Sequence, residues 1–97
     1  MSLNRHKNED FELFYAAIMA IDDRELAIDF FEDLMTLNEL SSLSQRLQVT
    51  KMLMQGYTYQ RIEEETGAST ATISRVKRFL TSGTGGVPSV IERLEEK

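Results

Sequence analysis

The sequence predicts an all-α protein built around a helix-turn-helix, and three observations support this fold class. Apolar residues recur at helical spacing, no segment shows the alternation of a strand, and a single glycine separates two short helical segments. Both segments lie in the stretch TYQRIEEETGASTATISRVKRFL, residues 58–80. The chain of 97 residues is short enough to form one domain.

The first forty residues predict two helices with broad apolar faces. The first, from about residue 8 to 20, has its apolar side chains at i, i+3, i+4, i+7 and i+8: Phe11, Phe14, Tyr15, Ile18 and Met19. Asp22 followed by Glu25 resembles a capping box, and the helix that it opens is expected to reach about Leu37. These faces could cover the core of their own chain. We expect them instead to pack against a second subunit, because a groove-reading helix normally works in pairs.

A third helix and a last helix flank the helix-turn-helix. Ser41 or Ser42 could cap the third helix, which should run to about Gln55. The glycine-rich residues 83–86 predict a flexible hinge, and Pro88 suits the first turn of a helix reaching Glu96. The single domain therefore divides into three parts: dimerisation helices (1–40), third helix plus helix-turn-helix (43–80), and hinge with C-terminal helix (81–97).

The turn of the helix-turn-helix has the expected chemistry. Gly67 suits a helix C′ position, where a residue without Cβ adopts a positive φ at little cost. Ser69 and Thr70 each offer a side-chain oxygen to the first free N–H groups of the next helix. Four residues are spaced so that the two helices share one apolar seam: Ile62, Ala68, Ile73 and Val76.

The second helix of the helix-turn-helix has small, polar or basic side chains at its outward positions: Thr70, Ala71, Ser74 and Arg75. Such side chains allow a helix to enter a major groove and reach base edges. Lys77 and Arg78 add positive charge, and this helix has no acidic residue. An ordinary αα-corner uses the same turn, but the basic helix favours DNA binding over a purely structural role.

The charge is distributed unevenly along the chain. The net charge is −5, with −7 on residues 1–43, +3 on residues 44–80 and −1 on residues 81–97. Only the segment that contains the helix-turn-helix is basic, as expected if it steers the molecule toward DNA. Because the total is acidic, we expect modest non-specific affinity.

Composition argues against several other classes. There is no cysteine, and His6 stands alone in a polar N-terminus, so neither a metal site nor another cofactor is expected. The serines have no partnered base, so no enzyme is indicated. No apolar run approaches the ~20 residues of a membrane span, and the N-terminus is too polar for a signal peptide. We therefore expect a cytoplasmic protein without membrane contact.

The segment LSQRLQVTKMLMQGYTYQRIEEETGASTATISRVKRFL resembles the core of the Trp repressor family, and especially its YerC/YecD branch. The similarity is densest in ETGASTATISR, and the terminal VPSVIERLEEK matches too. The resemblance implies a Trp repressor-like fold, an intertwined homodimer of helical subunits and binding to palindromic operators in double-stranded DNA.

The resemblance also implies an altered ligand pocket. Arg46 and Arg75 match the two arginines that hold tryptophan in the tryptophan-sensing member, and Thr72 matches a nearby threonine. Val76 replaces a glycine, and Phe79 replaces a serine that helps to bind the amino acid. Since both replacements are larger and apolar, we expect the pocket to be filled by protein and tryptophan to be excluded. The resemblance does not indicate another effector.

The resemblance assigns DNA contacts at several positions. The matching residues are Tyr59 and Gln60 on the first helix of the helix-turn-helix, and Ser69, Thr70, Ala71 and Ser74 at its second helix. We expect Lys77 and Arg78 to hold phosphates. Arg75 could serve either the groove or the ligand pocket. Glu63 replaces a lysine that helps to hold DNA. Its carboxylate could face away, pair with Arg61 or Lys77, or read a cytosine N4.

Two functions remain open at this point. The first is a sequence-specific, dimeric transcriptional regulator that represses by blocking promoter access. The alternative is a protein-interaction module with little DNA binding, in which the helix-turn-helix is a scaffold and the acidic N-terminal half docks a basic partner.

Overall fold

The computed structural model describes residues 8–96, and all regular secondary structure in that range is α-helical. The described residues form six helices: α1 (Glu9–Ala20), α2 (Arg24–Leu34), α3 (Leu37–Met54), α4 (Tyr59–Thr66), α5 (Thr70–Ser82) and α6 (Gly86–Glu95). The chain divides into two compact units, Met1–Leu37 and Asn38–Lys97. The prediction for His6 falls outside the described residues.

The first unit contains α1 and α2, and both helices begin at a capping side chain. Asn8 Oδ1 accepts hydrogen bonds from the backbone N–H groups of Asp10 (2.8 Å) and Phe11 (3.4 Å), as the predicted start of α1 requires. Asp23 caps α2, since its Oδ1 accepts from the N–H of Leu26 at 2.8 Å. The prediction that Asp22 caps this helix was wrong by one residue. Two adjacent aspartates offered the same chemistry, and the backbone geometry selected the second.

The boundary between α2 and α3 also differs from the prediction. The α2 helix ends at Leu34, where Met35 takes an extended backbone, and α3 begins at Leu37. Ser41 and Ser42 therefore lie inside α3 and do not cap it. Thr36 and Glu39 stand at the spacing of a capping box, a signal in the sequence that points to the observed start.

Neither α1 nor α2 contains a buried residue. Phe30 and Phe31 meet edge to face with ring centroids 5.0 Å apart, yet both remain only partly buried. Other large apolar side chains of this unit are exposed, including Phe14 and Leu34. This unit therefore presents more apolar surface than its own two helices cover.

The second unit has a continuous core, which α3, α4 and α5 build together. Its buried members are Val49, Met52, Ile62, Ala68, Ile73 and Val76. The predicted apolar seam of the helix-turn-helix is confirmed, and α3 contributes the two remaining residues. This core fixes α5 against the rest of the unit.

The last helix follows a left-handed glycine. Gly85 has φ +84°, and α6 begins at the next residue, so Pro88 lies in its first turn as predicted. Ile91 is buried, and Glu96 follows the last helical residue. Among the described residues, no helix has the length and apolar character needed to cross a membrane.

Candidate nucleic-acid interface

Local hydrogen bonds build the turn between α4 and α5. Thr58 caps α4, because its hydroxyl oxygen accepts from the N–H of Arg61 at 3.1 Å. Gly67 ends the helix with φ +76°, and its N–H donates to the carbonyl of Glu63 at 2.9 Å. The left-handed conformation redirects the chain into α5, as the sequence predicted.

A side chain from α3 braces this turn. Gln45 Nε2 donates to the backbone carbonyl of Thr66 at 3.2 Å, which satisfies an orphan acceptor at the end of α4. The Thr66 hydroxyl donates to the carbonyl of Ile62 at 2.7 Å and accepts from the N–H of Ala68 at 3.1 Å. Sequence analysis missed Gln45, whose partner is twenty-one residues away.

Ser69 is the capping residue of α5. Its hydroxyl oxygen accepts from the N–H of Thr72 at 3.1 Å, and its proton is directed to the Thr72 hydroxyl at the same distance. Of the two caps that the sequence allowed, Ser69 is used and Thr70 is not. Thr72, which the resemblance assigned to a ligand pocket, has its hydroxyl in this capping network.

The exposed side of α5 presents the residues predicted to meet DNA. Ala71, Ser74, Arg75 and Arg78 are all exposed and are spaced three or four residues apart, so they are neighbours on the helix surface. Thr70 and Lys77, one heptad apart, are also exposed, whereas Ile73 and Val76 are buried on the opposite side. A small, polar and basic surface is therefore held outward by a buried apolar one.

The start of α4 adds a second exposed polar surface. Tyr59 and Gln60 both lie at the surface in the first turn of this helix. Arg61 forms an ion pair with Glu65 at 3.0 Å, and its guanidinium lies 5.7 Å from the ring centroid of Tyr57. The Arg61 side chain thus interacts with one residue of α4 and with one residue just before this helix.

Glu63 has a specific partner in α5. Its carboxylate accepts a hydrogen bond from the Thr70 hydroxyl, so it bridges the two helices of the motif. Among the described residues of α4 and α5, the single ion pair is Arg61–Glu65. The suggestion that Glu63 pairs with Arg61 or Lys77 was therefore wrong.

Arg46 and Arg75, which match the two tryptophan-holding arginines, line the same cleft. A space of about 330 Å³ is bordered by Arg46, Arg75, Arg78 and Phe79. Val76 is buried in the core and borders the adjoining larger cleft instead, while Phe79 forms a wall of both clefts and is 68% exposed. Phe79 thus narrows the cleft without filling it within one chain. Arg75 and Arg78 therefore border this cleft and also lie on the exposed side of α5.

A larger, mainly apolar cleft lies beside it in the same unit. Its volume is about 440 Å³, and its walls are formed by α3, α5, the segment between α5 and α6, and the first turn of α6. Leu43 and Leu47 line it and are 40% and 49% exposed. The described residues contain no group of three or more side chains arranged to hold a metal ion.

This arrangement of a glycine turn, a buried seam and an acid-free outward helix is that of a helix-turn-helix protein. The profile of the Trp repressor protein family matches residues 9–95, so the chain belongs to that family. The members of this family are non-enzymatic regulators.

The chain is similar along nearly its whole length to three further proteins. It is 44% identical to the uncharacterised protein YerC of Bacillus subtilis (strain 168), over 99% of this chain and 92% of that one. The crystal structure of a proposed Trp repressor from Staphylococcus aureus superimposes with a TM-score of 0.91 at 46% identity, covering 100% of this chain and 97% of the other. That of a TrpR-like protein from Eubacterium eligens ATCC 27750 gives 0.90 at 51% identity, covering 95% of each chain. These likenesses support the predicted all-α, Trp repressor-like fold.

Proposed function

We propose that this protein is a sequence-specific, DNA-binding transcriptional regulator of the cytoplasm, which acts as a homodimer on a near-palindromic operator. The observation that carries the proposal is the exposed side of α5. It combines small and basic side chains, has no acidic residue, and is held in place by a buried core. A helix with this surface can approach base edges in a major groove.

The apolar surface supports the homodimer. The helices α1 and α2 bury no residue, and their aromatic and aliphatic side chains remain exposed or only partly covered. In the other unit, exposed Leu43 and Leu47 border an open apolar cleft. Exposed apolar surface of this kind in each unit is typical of association sites. A dimer would set two copies of α5 into successive major grooves about 34 Å apart.

The mode of regulation follows from the same geometry. A dimer seated across two major grooves occupies promoter DNA and excludes other proteins, so repression is the expected outcome. Lys77 and Arg78, together with the Tyr59–Gln60 end of α4, would hold phosphates, while Thr70, Ala71 and Ser74 would meet base edges. We assign no role to tryptophan, since Val76 and Phe79 replace the small residues of the tryptophan-sensing member.

The experiment is a selection of genomic DNA fragments by the purified protein, followed by binding measurements on an enriched fragment. Ala71→Glu should abolish specific binding and leave the protein folded, because it places charge and bulk against the groove floor. Gln48→Glu is the matched control: it adds the same charge at an exposed position of α3. Equal binding by the parent and Ala71→Glu at the same salt would contradict DNA reading by α5.

The salt dependence of binding provides a second readout. Lys77→Ala/Arg78→Ala should weaken binding to every sequence, and the slope of log K against log salt should become shallower by up to about two per subunit. An unchanged slope would show that neither cation lies on a phosphate.

A protein-docking function is the second candidate, and the charge distribution favours it. Residues 1–43 carry a balance of −7, and the net charge is −5. These acidic helices could dock a basic protein while the helix-turn-helix serves as scaffold. If the genomic selection enriches no fragment, and Ala71→Glu binds DNA no differently from the parent, the protein-docking function replaces the DNA-binding one.

A further inference from the structure

The contact between Glu63 and Thr70 joins the two helices of the helix-turn-helix at the N-terminal end of α5. In the proposed complex this end would enter the major groove of DNA. Thr70 is the first residue of α5 and is exposed, and Glu63 is half-buried on α4, seven residues earlier. The Thr70 hydroxyl donates a hydrogen bond to the Glu63 carboxylate. The neighbouring cation of α4, Arg61, is engaged with Glu65 instead.

The direction of this hydrogen bond limits what the pair can offer to DNA. A threonine hydroxyl has one proton and two lone pairs, and an ionised carboxylate has lone pairs only. Because the single proton of Thr70 is committed to Glu63, the remaining hydrogen-bonding capacity of both side chains is that of acceptors. A free threonine, by contrast, could donate or accept and would tolerate any base edge.

An acceptor-only pair distinguishes two kinds of base in the major groove. Cytosine presents an amino group at N4 and adenine one at N6, whereas guanine presents the acceptors N7 and O6 and thymine the acceptor O4. An amino group can donate to Glu63 or Thr70. A keto oxygen in the same place would face their lone pairs, and the acceptors, once covered by DNA, would lose their water without gaining a partner.

We propose that Glu63 and Thr70 together form an acceptor-only reading pair, which requires an amino-bearing base, cytosine or adenine, at one position of each operator half-site. This inference rests on the proposed DNA-binding function and adds a determinant of its sequence preference. Reversing that base pair, which exchanges the amino group for a keto oxygen, should weaken binding by about tenfold or more per half-site.

The test compares the base preferences of the parent protein and three variants, obtained from random-sequence selection and from affinities for single base-pair changes. Glu63→Gln is nearly isosteric. Its amide oxygen can still accept from Thr70, while its NH₂ supplies a new donor. This variant should lose the preference for an amino-bearing base at one position per half-site and should accept guanine or thymine there.

Thr70→Val and Glu64→Gln complete the design. Thr70→Val removes the hydroxyl with little change of shape and leaves the Glu63 carboxylate, so the preference should move further toward cytosine or adenine or stay the same. Glu64→Gln removes the same charge at an exposed neighbouring position and should alter no base preference. Circular dichroism of each variant verifies that the helices remain.

The outcomes separate this inference from the function on which it rests. If the parent enriches DNA but Glu63→Gln and Glu64→Gln have the same base preferences at every position, the reading pair is refuted and DNA binding stands. A parent preference for guanine or thymine at the position that Glu63→Gln alters would refute it as well. If the parent enriches no DNA, the proposed function and this inference are both overturned.

Discussion

Replacing Gly67 by alanine measures how much the turn of the helix-turn-helix depends on a left-handed residue. Gly67 has φ +76°, and a Cβ built on it would meet no atom within 4 Å. The substitution therefore introduces no overlap, and its cost is the backbone strain of an L-residue in the left-handed region. That strain is about 1–2 kcal/mol, so the free energy of unfolding should fall by about this amount.

Two further substitutions test the reasoning in opposite directions. Gly67→Asn should recover part of the loss, because asparagine tolerates the left-handed region better than alanine. Gly86→Ala should instead raise the free energy of unfolding by about 0.4–1 kcal/mol. Gly86 is the first residue of α6, and its φ is not positive. A Cβ added to it would lie 3.7 Å from the Thr84 hydroxyl oxygen, which is an ordinary contact.

The assay is urea unfolding followed by helical circular dichroism, with every variant at the same chain concentration because the proposed dimerisation would shift the apparent stability. An unchanged slope with denaturant shows that the substitution altered stability alone. A stability equal to or above that of the parent for Gly67→Ala would refute a left-handed turn at this position. A loss above about 4 kcal/mol would show that the space around Gly67 is not empty.

Three other predictions concern assembly, ligand binding and capping. Sedimentation equilibrium should find a homodimer, since α1 and α2 leave their apolar side chains uncovered; a folded monomer at micromolar concentration would contradict this. Titration calorimetry with millimolar L-tryptophan should be flat, because Val76 and Phe79 replace small residues and narrow the clefts that they border; a saturable site that depends on Arg46 and Arg75 would show that this narrowing does not exclude the ligand. Ser69→Ala should lower the free energy of unfolding by about 1 kcal/mol through loss of the α5 cap, whereas no change on urea unfolding would mean that water or Thr70 replaces it.

The sequence alone predicted the helix-turn-helix and its apolar seam, because their determinants are local. A glycine that adopts a positive φ, a serine or threonine before a helix, and apolar residues at helical spacing act within one or two turns of the chain. Ile62, Ala68, Ile73 and Val76 are buried as their spacing predicted. The start of α6 near Pro88 followed from the same kind of local signal.

Helix boundaries were less certain where adjacent residues offered the same chemistry. Asp22 and Asp23 could both cap α2, and only the backbone geometry selected Asp23. The end of α2 at Leu34 lacks a glycine or proline, so the apolar pattern continued across it into α3.

Tertiary structure alone decided the contacts that join distant residues around the candidate interface. Gln45 donates a hydrogen bond to the carbonyl of Thr66 from another helix, and Glu63 accepts a hydrogen bond from the Thr70 hydroxyl across the turn. In the sequence each of these side chains had several possible partners, since a polar group bonds to whatever the fold brings within reach. The packing of α3, α4 and α5 on their shared core determined which partner each one has.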